Sequence, residues 1–178
     1  MVELVCHPDT PSNVVTAVAV QATRTPDAKL ALHYSLSGRI DAVRIPEPAP
    51  ARTATDLWRH TCCELFVREK GVAAYHELNF SPSGEWAGYA FGKYRDGAPL
   101  ADESLNPRIS IQSTPGRLDL YALADLPALS GAYGRAALAI GLATVVEEKG
   151  GALSYWALRH APGRPDFHHG DAFALELA

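Results

Sequence analysis

One stretch constrains the whole chain: residues 57–97, LWRHTCCELFVREKGVAAYHELNFSPSGEWAGYAFGKYRDG. It holds two of the three Trp and three of the five Phe. Two turn signals interrupt it, Glu69-Lys70-Gly71 and Ser81-Pro82-Ser83-Gly84. They leave three runs, 57–68, 73–81 and 85–94. Each is rich in aromatic and other strand-favouring residues, and each is too short and too tightly bounded for a typical helix. The pattern predicts a three-stranded antiparallel meander inside a larger sheet.

Alternation within the meander sorts its side chains by face. In the second run Tyr75, Glu77, Asn79 and Ser81 share one side, and His76, Leu78 and Phe80 the other. In the first run Trp58, His60, Cys62, Glu64 and Phe66 oppose Leu57, Arg59, Thr61, Cys63, Leu65 and Val67. Cys63, Leu65, Val67, Leu78 and Phe80 form the core set. Glu64, Glu77 and Asn79 then lie together on the opposite face. Carboxylates under a concave aromatic surface suit sugar hydroxyls or a cation.

The rest of the chain reads as more short strands. Residues 14–24 alternate Val14, Thr16, Val18 and Val20 against Val15, Ala17, Ala19 and Gln21, with β-branched residues dominant. A turn at 25–28 leads to 29–37, where Leu30, Leu32, Tyr34 and Leu36 alternate with Ala31, His33 and Ser35. His33 is expected to be solvated. Residues 41–45 are weakly strand-like, and the Pro/Ala-rich segment before Trp58 is expected to be an extended surface loop. Residues 98–106, with Asp102 and Glu103, are expected to be a polar loop. A hairpin follows at 107–113 and 117–124, then 125–134 with room for one helical turn. Residues 135–148 carry helix-favouring Ala and Leu. Gly141 and the alternation of Leu138, Ile140 and Leu142 make the segment a strand, paired through Lys149-Gly150-Gly151 with 152–160. A final strand closes at 172–177. About ten short strands spaced in this way predict an all-β fold, an antiparallel β-sandwich of jelly-roll type, in a single domain.

Composition excludes several function classes. At 178 residues and 47% hydrophobic, the chain can bury a substantial core. A net charge of −4 gives no basic footprint for nucleic acid. No apolar run is long enough for a membrane helix, and the N-terminus does not read as a secretory signal. A cytoplasmic location is expected. Cys6, Cys62 and Cys63 have no CxxC spacing and do not form a disulfide framework.

Trp58 with Thr61-Cys62-Cys63-Glu64-Leu65-Phe66, Tyr75-His76-Glu77-Leu78-Asn79-Phe80-Ser81-Pro82-Ser83-Gly84-Glu85-Trp86, and Tyr89 with Tyr94-Arg95 resemble the DOMON-like domains related to family 9 carbohydrate-binding modules. Trp156-Ala157-Leu158-Arg159-His160 and Pro165-Asp166-Phe167-His168 resemble the closing motif of their bacterial, signal-less branch. The resemblance implies a jelly-roll-like sandwich that binds sugars or haem.

The first functional expectation is a non-catalytic domain binding a small molecule, a saccharide or sugar derivative. Aromatic rings meet the C–H faces of a sugar; carboxylates, amides and Arg meet its hydroxyls. The expected ligand-binding residues are Glu64, Glu77 and Asn79 as a polar floor, with Trp58, Trp86, Tyr89 and Trp156 as walls. Arg95, Arg159 and His168 complete the polar partners. No cofactor is expected. One alternative is a haem-binding electron-transfer domain. Met1 is the sole Met, so its axial ligands would be two His, such as His76 with His160 or His168. Another is a sugar-active enzyme using Glu64 and Glu77 as its carboxyl pair. His160, Asp166, His168 and His169 lie close enough in sequence for a metal site, but hydrogen bonds that hold the closing loop are the favoured role. No Asp-rich loop points to structural calcium. Oligomeric state is not legible.

Overall fold

In the computed structural model, which describes residues 1–100 and 105–178, the chain is all-β and antiparallel. Asp102 and Glu103 lie outside the described residues. Twelve strands are present among them: β1 (Val2–Cys6), β2 (Val15–Arg24), β3 (Leu30–Gly38), β4 (Cys62–Glu69), β5 (Tyr75–Phe80), β6 (Trp86–Lys93), β7 (Asp96–Pro99), β8 (Arg108–Thr114), β9 (Arg117–Ala124), β10 (Leu138–Glu147), β11 (Leu153–Ala157) and β12 (Leu175–Leu177). A single helical turn, α1 (Leu126–Leu129), is capped by Asp125, whose carboxylate accepts from the Ala128 amide.

The strand order is β7-β6-β5-β4-β10-β11-β1-β2-β3-β9-β8. β1 pairs with β11 on one side and β2 on the other, so it joins the two layers of the sandwich. The predicted meander is β4-β5-β6, and β7 adds a fourth strand at its edge. That edge strand was expected to be turn and loop. Its last residue is Pro99, tolerated where no further strand needs its amide.

Alternation places the core where it was expected. Cys63, Leu65, Val67, Leu78 and Phe80 meet Val18, Val20, Leu32, Tyr34, Leu36 and Leu120 between the layers, all buried. The Tyr34 hydroxyl is paired in this core, donating 2.7 Å to the Glu64 carbonyl. Val145, Ala143, Phe66 and Tyr75 face outward from the seven-stranded layer, β7 through β1, and carry a second apolar cluster.

Four local expectations are corrected. The strand predicted over 57–68 begins at Cys62; Leu57–Arg59 form a helical turn after Asp56, which sits at φ 59°. Residues 41–45 form no strand, only a turn at Ile40–Ala42 and one bridge from Val43 to Glu148. A register shift between Val15 and Ala17 exposes Thr16 and buries Val15 with Val18, because one extra residue reverses the alternation. His33 is not solvated: its Nε2 lies 2.8 Å from Asp119 Oδ1, and its ring stacks on Tyr121.

The closing segment positions the site. β11 pairs with the second half of β10, and β12 with the first half. Between them the chain leaves the sheet and crosses its outer face, packing Phe167 and Phe173 onto the second cluster. Gly141 permits the close crossing: a Cβ there would stand 3.2 Å from the Ala172 carbonyl oxygen.

A candidate ligand-binding cavity under the closing segment

A cavity of about 490 Å³ opens on the outer face of the seven-stranded layer, beside the crossing segment. Its floor comes from adjacent strands. Register sets Glu64 opposite Asn79, and Glu77 opposite Tyr89. Ala143 lies on the other side of Glu64, with Ala157 beyond it, so small side chains flank the carboxyl. Tyr89 and Phe91 rise from β6, Tyr155 from β11 and Phe167 from the closing segment. Trp58 reaches the cavity from the turn before β4 and is 44% exposed.

The floor is buried and polar. Glu64 is 3% exposed, Glu77 5% and Asn79 0%. Asn79 Nδ2 donates 2.9 Å to Glu77 Oε1, while Asn79 Oδ1 is buried without a partner among the described residues. Burial, and then the nearby Glu77 charge, hold the Glu64 carboxyl well above the usual carboxylate range. Burial also pushes Glu77 up to about 7, against the opposing pull of Asn79 and Arg95.

His168 closes the floor from above. Its Nδ1 lies 2.8 Å from the Tyr75 hydroxyl, and its Nε2 lies 3.7 Å from Glu77 Oε2. That approach is within ion-pair range. Burial, reinforced by Arg95, nevertheless pushes His168 down to about 4 despite Asp166. With Glu77 raised and His168 lowered, burial disfavours the ion pair that this distance would allow.

The rim is tied together by Asp166. Its carboxylate accepts from Tyr94 Oη at 2.6 Å, Arg95 Nη2 at 2.8 Å and the His168 amide at 3.1 Å. Burial opposes ionisation of Asp166, but these hydrogen bonds and the Arg95 charge hold it below its ordinary value. Arg95 sits at φ 54°, and its amide donates to the Tyr75 hydroxyl at 3.1 Å. Asp56 and Arg95 are two of the three non-glycine residues at positive φ among those described. One precedes the Trp58 turn and the other lines the cavity, so backbone strain gathers around the site.

Of the ten residues expected to bind ligand, six line this cavity: Trp58, Glu64, Glu77, Tyr89, Arg95 and His168. Asn79 braces Glu77 within the same floor. Trp86 and Trp156 do not reach it. Both are packed in the sandwich core, 1% and 5% exposed, with the Trp156 indole donating to Ser154 Oγ at 3.0 Å. Arg159 is exposed and lies outside the lining. Tyr155, Phe91 and Phe167 line it without having been singled out. Face parity could have found Tyr155, since it points opposite to Trp156.

The constellations weighed as alternatives do not assemble, and Asp166 instead accepts from the His168 amide within the closing segment, as favoured. His160 Nε2 lies 2.8 Å from the Val5 carbonyl oxygen, and among the described residues no three His, Cys, Asp or Glu side chains converge as a metal centre. His76 Nδ1 lies 2.8 Å from the Tyr133 hydroxyl, on the face of β5 opposite His168, so the two do not face one another.

No protein-family model matches the sequence, and no curated protein matches it. A family 9 carbohydrate-binding module from Caldicellulosiruptor kristjanssonii, solved with glucose, aligns at TM-score 0.49 and 10% identity over 87% of this chain and 72% of that one. A protein from Bacteroides uniformis ATCC 8492, provisionally described as carbohydrate-binding, aligns at TM-score 0.67 and 14% identity, covering 96% of this chain and 81% of its own. This chain therefore shares its β-sandwich fold with the Bacteroides protein over nearly its whole length.

Proposed function

We propose that this protein binds a small saccharide in the cavity under the closing segment and performs no chemistry on it. The observation that carries the reading is the pairing of two buried carboxyls, Glu64 and Glu77, with aromatic walls around about 490 Å³. That volume and lining are those of a small-molecule site. The walls offer faces for sugar C–H groups, and the floor offers partners for hydroxyls. The fold shared with the Bacteroides protein is compatible with this ligand class.

The test is calorimetric titration and thermal shift with mono- and disaccharides. A ligand at a hundred times its dissociation constant should stabilise by about 2.7 kcal/mol, several degrees for a chain of this size. Trp58→Ala should weaken binding by roughly tenfold or more through loss of a stacking face, while leaving the melting temperature nearly unchanged. The reading fails if no sugar binds, or if Trp58→Ala and Glu77→Ala both bind like the wild type.

A further inference from the structure

The hydrogen-bonding chemistry of the floor is one-sided. Asn79 Nδ2 is already spent on Glu77, and Asn79 Oδ1 is buried and unpartnered among the described residues. Burial and the Glu77 charge alone perturb the Glu64 carboxyl; no hydrogen bond contributes. Glu77 keeps Oε2 turned toward His168 at 3.7 Å, too far for a hydrogen bond. With both carboxyls ionised, the floor is a set of acceptors. Two Arg side chains line the cavity, Arg95, whose charge acts on Glu77, and Arg164. Arg95 is held by Asp166 at 2.8 Å and by Tyr94 at 3.3 Å, and Arg164 is exposed.

A hydroxyl brings one donor to such a floor. An ammonium group brings three donors, no acceptor and a positive charge. The walls suit the same group, because Trp58, Tyr89 and Tyr155 can turn π faces toward a cation within the cavity. Burial and mutual repulsion hold the two acids toward their neutral forms; an ammonium ion between them favours the carboxylates instead.

We propose that the cavity selects an amine-bearing sugar, with its ammonium group seated on Glu64 and Glu77, the latter braced by Asn79, beneath the aromatic walls. The proposal rests on the saccharide reading and names its ligand class. A neutral sugar fits the same walls but brings no charge to hold the two acids ionised. An N-acetylated sugar loses both the charge and two donors.

The experiment compares matched sugars on the purified protein: glucose, glucosamine and N-acetylglucosamine, and the corresponding galactose set, at a pH where the free amine is protonated. Ethylammonium serves as a probe with no sugar ring. The amino sugar of at least one set should bind about tenfold more tightly than its neutral and N-acetylated counterparts. Glu64→Gln and Glu77→Gln keep the shape of the floor and remove its charge. They should abolish most of that advantage, read within each variant as the ratio of amino-sugar to neutral-sugar affinity. Melting temperatures of both variants verify that they fold. Equal affinity for amine and hydroxyl forms overturns the proposal and leaves the saccharide reading standing, as does an amine advantage that survives in both variants. Binding of ethylammonium with no sugar of any kind keeps the cation subsite and removes the saccharide reading. Binding of neither removes both.

Discussion

Trp86→Ala should cost about 3–5 kcal/mol of stability, the range for truncating a large buried aromatic. For a chain of this length that lowers the melting temperature by on the order of 10 °C. Trp86 is among the largest side chains buried between the layers, at 1% exposure. It stands opposite Phe80 in the β5–β6 register, and its ring lies against the space beside Gly88. It belongs to the core cluster that residues of both layers make up, so its truncation leaves a void in that core. Its backbone also anchors the Pro/Ala loop, since the Trp86 amide donates to the Arg52 carbonyl and its carbonyl accepts from the Ala54 amide. Those bonds survive the substitution, so the loss measures packing. Ligand affinity of the fraction that remains folded should stay close to wild type. Trp58→Ala should show the converse, with little lost stability and weakened binding. Equal melting temperatures for the two variants would mean that Trp86 is not in the core.

This contrast shows what the sequence could and could not carry. Period-two alternation in β4 and β5 separates Cys63, Leu65, Val67, Leu78 and Phe80 from Glu64, Glu77 and Asn79, and the structure keeps that separation. The same rule applied to β6 puts Trp86 and Tyr89 on opposite faces, because they are three residues apart. Aromatic density in one stretch therefore does not make one aromatic wall. Trp156 and Tyr155 divide in the same way across β11. What alternation could not supply is tertiary. Trp58 reaches the cavity through a helical turn where strand was expected, and Phe167 is brought there by a segment that crosses the sheet between β11 and β12. No local pattern in residues 158–174 announces that crossing. The Gly141 close approach is its one trace, and it becomes legible only once Ala172 is seen above it. His33 illustrates the same limit, because its partner Asp119 belongs to the neighbouring strand β9.

The second large effect is a pair of opposed pH dependences at the floor. Glu77 is raised from 4.5 to about 7 in the fold. Between those values the unfolded chain has released this proton and the folded one still holds it, so stability falls as pH rises. His168 is lowered from 6.5 to about 4. Between those values the unfolded chain holds this proton and the folded one has released it, so stability increases as pH rises. From about pH 5 to about pH 6.5 each contribution changes by roughly 1.5 kcal/mol, with opposite sign. Glu64 is raised and reinforces the Glu77 trend, while His76 and His160 are lowered and reinforce the His168 trend. The wild type alone would therefore hide both. Differences between proteins expose them. The stability of Glu77→Gln relative to wild type should increase over that interval. The stability of His168→Gln relative to wild type should decrease by a similar amount, on top of a constant loss from the Tyr75 hydrogen bond. Denaturant unfolding at several pH values measures both. A flat difference for Glu77→Gln would mean that its carboxyl titrates as in water. The floor would then be solvated in the free protein, with water already meeting its carboxylates.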